Sequence, residues 1–251
     1  MMRQVHAGLM VAALGVGACG GGSPENAAPA EPIPNPVDAA TAGSVAGRIT
    51  FEGTAPQPGE VRMDSDPNCV QPGATPTDET VVVGDAGALQ NVFVYVSDGL
   101  GDLRFPIPSE ALVLNQEDCL YAPHVMGVQV GQVLEILNSD PTLHNVHAVP
   151  VANQEFNTGQ PLPGMKHTHR FTTSEVMVPF RCDVHPWMFA YVGVVDHPFF
   201  TVTGADGTFN IEGLPPGTYT IEAWHERLGA QTQTITIGER EAGDMTFSFQ
   251  A

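Results

Sequence analysis

The sequence predicts an all-β protein built from short strands that pack as sandwiches or barrels. Three observations carry that prediction. Apolar and polar residues alternate in many short runs, as they do on half-buried strands. Glycine and proline are abundant, 27 and 22 of the 251 residues, and they fall between those runs. No long stretch after the N-terminus has the periodicity of an amphipathic helix. The turns are strongly marked, by Ala205-Asp206-Gly207, by Leu214-Pro215-Pro216-Gly217 and by Gly238.

Taken in order, the first strand is Val45-Ala-Gly-Arg-Ile-Thr-Phe, which alternates and breaks at Gly53. Residues 80–83 and 90–97 are two further strands, separated from the first by a long proline-rich loop over 57–78. Strands follow at 111–115, 127–130, 133–137, 146–151, 169–172, 175–180 and 190–195. The last group covers 199–203, 208–211, 218–224, 231–237 and 245–249. Phe209, Ile211, Tyr219 and Ile221 are spaced to face one core.

The N-terminus has a basic residue, Arg3, then an apolar run from Ala7 to Ala18 that is too short to span a bilayer. Val16-Gly17-Ala18-Cys19 resembles a bacterial lipobox, in which the cysteine becomes the lipidated first residue. That predicts a signal peptide over 1–18, a lipid-anchored Cys19 and a flexible linker over 19–43, low in bulky apolar residues. The expected location is the bacterial cell envelope, on the periplasmic or extracellular side. A plain secretory signal cleaved near Ala18 leads to the same compartment.

The net charge is −19, from 28 acids against 9 bases. Losing residues 1–18 takes away Arg3 and no acid, which leaves −20. Such a surface repels phosphate backbones and argues against a nucleic-acid partner. At 42% hydrophobic residues, the chain can still bury a core.

Chemistry concentrates in Cys182-Asp183-Val184-His185-Pro186-Trp187-Met188. A thiol, an imidazole and a thioether are spaced three apart, and His144-Asn145-Val146-His147 lies upstream. Two imidazoles, a thiolate and a distant thioether are the ligand set of a mononuclear copper electron-transfer site: nitrogen suits Cu(II), sulfur suits Cu(I), and a trigonal set with a weak axial sulfur serves both. Structural zinc normally takes four strong ligands, which methionine is not. The missing Cys-x-x-Cys-His excludes a c-type haem. No Gly-x-Ser-x-Gly nucleophile elbow is present, and no catalytic set competes.

Of the four cysteines, Cys19 is assigned to the lipid. The odd number remaining predicts one disulfide and one thiol in an oxidising compartment. With Cys182 in the metal set, Cys69–Cys119 is the expected pair, although the count alone leaves Cys182 free to pair with either. His147 is read as a surface or supporting residue. His167 and His169 are read as exposed, and His124 and His225 as structural, hydrogen-bonded residues.

Residues 111–195 resemble the cupredoxins, most closely the amicyanin and plastocyanin group. The likeness rests on Val128-Gln-Val-Gly-Gln-Val-Leu-Glu-Ile, on His144-Asn145-Val146-His147 and on the Cys182–Met188 loop. The resemblance implies a Greek-key β-sandwich with one type 1 copper held by His144, Cys182, His185 and Met188. It also implies that the backbone N–H of Asn145 hydrogen-bonds the thiolate. Arg181 before the cysteine is a departure, and Trp187 is expected to shield the metal or form a docking patch.

Val202 to Trp224, with Asp206-Gly207 and Pro215-Pro216-Gly217, resembles the carboxypeptidase regulatory-like domain, an Ig/transthyretin-like sandwich also found in rhamnogalacturonan lyases. That fold opens with a strand such as the one at Val45. The expected organisation is therefore a discontinuous domain over 44–105 and 197–251 with a cupredoxin domain at 106–196. A shared core for Ile49 and Ile221 is the observation that tests it. Trp224 is read as core or as an inter-domain contact.

The expected function is non-enzymatic: one-electron transfer between redox protein partners through copper. The alternative is an extracellular carbohydrate- or protein-binding module whose metal site is structural or stores copper.

Overall fold

The computed structural model describes residues 33–70 and 76–251. The signal peptide, Cys19 and most of the expected linker lie outside the described residues. The architecture is all-β. Among the described residues the only helical element is a single 3-10 turn at Asp85–Gly87.

Sixteen strands follow in order among the described residues. The first two are β1 (Gly43–Glu52) and β2 (Phe93–Asp98). Next come β3 (Leu112–Glu117), β4 (Leu120–Ala122), β5 (Val125–Gln129), β6 (Leu134–Asn138) and β7 (His144–Ala148). They continue with β8 (Phe156–Gln160), β9 (Lys166–His169), β10 (Glu175–Arg181) and β11 (Phe189–Val195). The last five are β12 (Phe200–Val202), β13 (Thr208–Leu214), β14 (Gly217–His225), β15 (Gly229–Ile237) and β16 (Ala242–Gln250).

Sheet pairing sorts these strands into two sandwiches. A split sandwich combines the sheet β13-β1-β16 with the sheet β12-β2-β14-β15. Its strands come from both sides of residues 112–195. β1 is antiparallel to β13 and parallel to β16, with Gly47 opposite both Phe209 and Met245. Val45, Ile49, Leu89, Val94, Phe209, Ile211, Tyr219, Ile221 and Phe247 fill one core. Ile49 and Ile221 thus share it, at 0% exposure each. The alternation read at Phe209, Ile211, Tyr219 and Ile221 is the alternation that buries them.

A nested sandwich lies in sequence between β2 and β12. It pairs the sheet β5-β11-β10-β7-β8 with the sheet β4-β3-β6-β9. Its core holds Leu114, Tyr121, Val128, Leu134, Ile136, Val146, Phe171, Phe180, Val192 and Val194. Met63 and Cys69 join this core, with Val61 packed against it, although they belong to the stretch upstream of β2. The cause is covalent: Cys69 and Cys119 form a disulfide with Cα atoms 5.5 Å apart.

Several strands differ from the sequence reading. Residues 80–83 form no strand. Val83 makes one bridge to Leu89, and the chain turns back on itself there through Gly84 N–H to the Ala88 carbonyl, 2.8 Å. β4 and β8 had no sequence counterpart, and β9 starts and ends earlier than the expected 169–172 segment.

The sandwiches meet on a third cluster. Phe93, Val125 and Val195 are buried in it, with Tyr95, Tyr191, Phe200, Val202 and Trp224 packed around them. Glycines make the close fit possible. A Cβ on Gly127 would stand 2.4 Å from the Phe200 ring, and one on Gly193 would stand 2.5 Å from the Phe93 ring. The Trp224 ring lies 5.3 Å from that of Tyr191, tilted by 56°, which makes it an inter-sandwich contact. His124 from the nested sandwich pairs with Glu226 from the split one, both buried.

Next to that pair, His225 is 1% exposed, and its Nδ1 accepts from the Arg227 and Leu228 N–H groups. Burial, then repulsion from His124, push its pKa down from 6.5 to about 4. The fold therefore favours the neutral ring. Its contribution to stability is complete above about pH 6.5 and is lost as pH falls through about 4. We expect urea unfolding to show a loss on the order of 3 kcal/mol from this residue between pH 7 and pH 4. The variant His225→Gln, which cannot charge, should lose correspondingly less over the same range. Equal losses in both proteins would refute this assignment.

Candidate metal centre

The four candidate ligands sit where three neighbouring strands end or begin. His144 is the first residue of β7. Cys182 follows the last residue of β10, and Met188 precedes the first residue of β11. β10 is antiparallel to both β7 and β11, with Arg181 opposite His147 on one side and Phe189 on the other. That register brings the start of β7 beside the β10–β11 loop. The loop is closed by its own backbone: Met188 N–H donates to the His185 carbonyl at 2.9 Å, and Cys182 N–H donates to the Met188 carbonyl at 3.1 Å.

One ligand atom each from His144, Cys182 and His185 lies within 4.8 Å of the others. The two Nδ1 atoms are 2.9 Å apart, and Cys182 Sγ is 3.8 Å from His185 Nδ1. All three side chains are buried, at 0%, 2% and 2% exposure. Met188 is also buried, at 1%. A rigid, dry site of this kind suits a metal that must change charge with little ligand movement.

Both imidazoles are anchored from behind. His144 Nε2 donates to Asp140 at 2.8 Å, and His185 Nε2 donates to Asp66 at 3.0 Å. A carboxylate on the far nitrogen fixes the tautomer and raises the basicity of the nitrogen that faces the metal. Asp140 is itself fixed by the N–H groups of Asp118 and Cys119, at 2.8 and 2.9 Å.

The titration behaviour of the site is that of a cation receptor. Burial opposes the charge on His144, but Asp140 and Cys182 more than offset it and raise its pKa from 6.5 to about 9. Burial, with Asp66 opposing, lowers the pKa of His185. These shifts favour the charged form of His144 and the neutral form of His185, whose Nδ1 atoms face each other at 2.9 Å. Burial also works against the Cys182 thiolate, yet His144 and the N–H groups of Asn145, His185 and Val184 lower its pKa overall. The Asn145 N–H lies 3.5 Å from Cys182 Sγ. These donors fit copper: two imidazole nitrogens, one stabilised thiolate and a buried thioether in the same loop.

Neighbouring residues are accounted for. Arg181 points to solvent, with its side chain 56% exposed, and pairs with Asp183 at 3.2 Å. His147 is buried between Asp183 and Glu155, at 2.9 and 2.6 Å. The Asn145 side-chain oxygen accepts from the Asp183 and Val184 N–H groups and so holds the ligand loop against β7. Trp187 is half-buried, lies 5.0 Å from the His185 ring, and donates Nε1–H to the Cys119 carbonyl at 3.0 Å.

Sequence reasoning missed Asp140 and Asp66. A signal existed for Asp140, which ends the strand-and-turn segment leading to His144. Asp66 has no local signal, because it reaches the site from a different part of the chain.

No curated protein matches the chain. The chain is similar to a solved copper(I) structure of an amicyanin variant, at 23% identity over 35% of this chain and 85% of that one, TM-score 0.30. It is similar to the purple cupredoxin of Nitrosopumilus maritimus, at 23% identity over 34% and 99%, TM-score 0.29. It is also similar to the copper-containing nitrite reductase of Thermus scotoductus, at 17% identity over 59% and 28%, TM-score 0.32. The carboxypeptidase regulatory-like domain matches residues 186–250, a stretch that runs from the ligand loop through β11 and on to β16.

Proposed function

We propose that this chain is a copper protein that carries single electrons between protein partners in the bacterial cell envelope, anchored through lipid on Cys19, and that it is not an enzyme. The observation that carries the reading is the convergence of His144 Nδ1, His185 Nδ1 and Cys182 Sγ in a buried site with a carboxylate behind each ring. Copper, when bound, supplies the one-electron couple.

The chain's own residues set the conditions for that couple. Asp140 and Asp66 stop the two rings from rotating. The Asn145 N–H stabilises the thiolate. The turn bonds between Cys182, His185 and Met188 hold the sulfur ligands while charge changes. Burial of all four candidate ligands keeps water out of the site. The glycan reading has less support, because the indole of Trp224 is already packed against Tyr191 and the cluster between the sandwiches.

The test is to load the metal-free protein with one equivalent of Cu(II) and record its absorption spectrum. An intense thiolate-to-copper band in the visible, bleached by ascorbate and restored by ferricyanide, is the expected result. A colourless Cu(II)-loaded protein, or a band that does not respond to redox cycling, overturns the proposal.

A further inference from the structure

The nested sandwich alone does not complete the metal centre. His185 is buried because a segment from outside that sandwich lies over it. Residues 59–70 come from the connection between β1 and β2. Their base is held by Val61 N–H to the Pro76 carbonyl and by Asp78 N–H to the Gly59 carbonyl, each 2.8 Å. Met63 and Cys69 then enter the core of the nested sandwich.

Asp66 is the residue this segment delivers. Its Oδ2 accepts from His185 Nε2 at 3.0 Å and from the Thr142 hydroxyl at 2.8 Å. It therefore joins the loop that leads to His144 and the loop that carries His185. Its Oδ1 accepts from the Asn68 N–H, and tight turns from Met63 to Asp66 and from Asp66 to Cys69 fix its backbone. Cys69 Sγ lies 3.8 Å from His185 Nε2. Its disulfide partner Cys119 donates its N–H to Asp140, the carboxylate behind His144. One covalent bond thus ties together the two carboxylates that orient the two imidazoles.

We infer that Asp66 is a positioning residue for the metal ligand His185, and that the Cys69–Cys119 disulfide is what keeps it in place, so that copper retention depends on the state of that disulfide. This rests on the copper reading above. Without Asp66, a buried ring N–H loses its acceptor and the ring loses its reason to present Nδ1 to the metal. The disulfide opens by reaction with a dithiol reductant. Two electrons pass to the S–S bond, Cys69 and Cys119 take up the reductant's two protons as thiols, and the reductant's own sulfurs close to a disulfide. The segment is then held only by its weaker contacts.

The test uses full-length Asp66→Ala, Asp66→Asn and the double variant Cys69→Ser/Cys119→Ser, each checked for native circular dichroism. Nitrogen-15 NMR of the metal-free proteins reads the His185 tautomer. Competition with a chromophoric Cu(I) chelator reads copper affinity. Wild type should show one tautomer, protonated on Nε2. Asp66→Ala and the double variant should show mixed tautomers and bind Cu(I) roughly 10–100-fold more weakly. Asp66→Asn keeps an acceptor oxygen and should restore the single tautomer. Wild-type tautomer and affinity in Asp66→Ala, or failure of Asp66→Asn to rescue, overturns the positioning role. Wild-type behaviour in the double variant overturns the role of the disulfide. Should wild type bind no copper, the copper reading itself fails, while the tautomer measurement still decides whether Asp66 orients His185.

Discussion

Replacing Cys182 with serine is expected to abolish the visible charge-transfer band and to weaken copper binding by more than the roughly 10–100-fold that losing an outer partner costs. The thiolate is the one anionic donor among the four candidate ligands, and several N–H groups are arranged to stabilise it. Serine nearly preserves volume and accepts the same Asn145 N–H, so the metal-free protein should keep its fold and melt within a few degrees of wild type. A hydroxyl does not ionise in this range and offers no soft donor to Cu(I). Spectroscopy and chelator competition on folded Cys182→Ser check this together. A retained visible band in that variant would remove Cys182 from the ligand set.

The largest expected effect on stability lies far from the metal. Gly47 is half-buried in the pairing of β1 with β16, and a Cβ there would stand 1.8 Å from the Met245 carbonyl oxygen. The obstacle is backbone on a paired strand, so no rotamer change relieves it. Gly47→Ala must push β16 away from β1 and lose ladder hydrogen bonds in the split sandwich. We expect a cost of about 3–5 kcal/mol, equivalent to a melting-temperature drop on the order of 10 °C for a chain of this size. Gly159→Ala is the matched control: it also sits on a strand, but nothing lies within 4 Å of its added Cβ, and it should change stability by less than about 0.5 kcal/mol. Calorimetry of the two variants separates them. Because β1 contributes no residue to the metal centre, folded Gly47→Ala should retain wild-type copper affinity.

Much of the fold was legible because its signals are local. Period-two alternation at Phe209 and Ile211, and at Tyr219 and Ile221, marks one buried face. Gly207 marks the turn before β13, with φ of +69° where a side chain would be strained. The Cys182–Met188 spacing was legible for the same reason, since one short loop carries three candidate donors. What escaped the sequence is whatever depends on distant pairing. β8 reads Phe-Asn-Thr-Gly-Gln, poor in strand formers, and is a strand because its residues pair with β7 from Ala148 to His144. Residues 80–83 read as a strand by composition but find no ladder to join. Asp66 is 119 residues from His185 along the chain, and no pattern around it points there.

The strand order also fixes the timetable by which the molecule can be assembled. β1 needs β13 on one side and β16 on the other, and both are synthesised only after the entire nested sandwich. As the chain leaves the ribosome, β3 to β11 can close around their own core while β1 and β2 wait as unpaired edges. Pairings between such distant segments form slowly and expose edges to aggregation in the meantime. In any oxidising surroundings the Cys69–Cys119 bond can form as soon as both cysteines have emerged. That bond would hold the segment upstream of β2 against the nested sandwich long before β16 arrives to complete the split one.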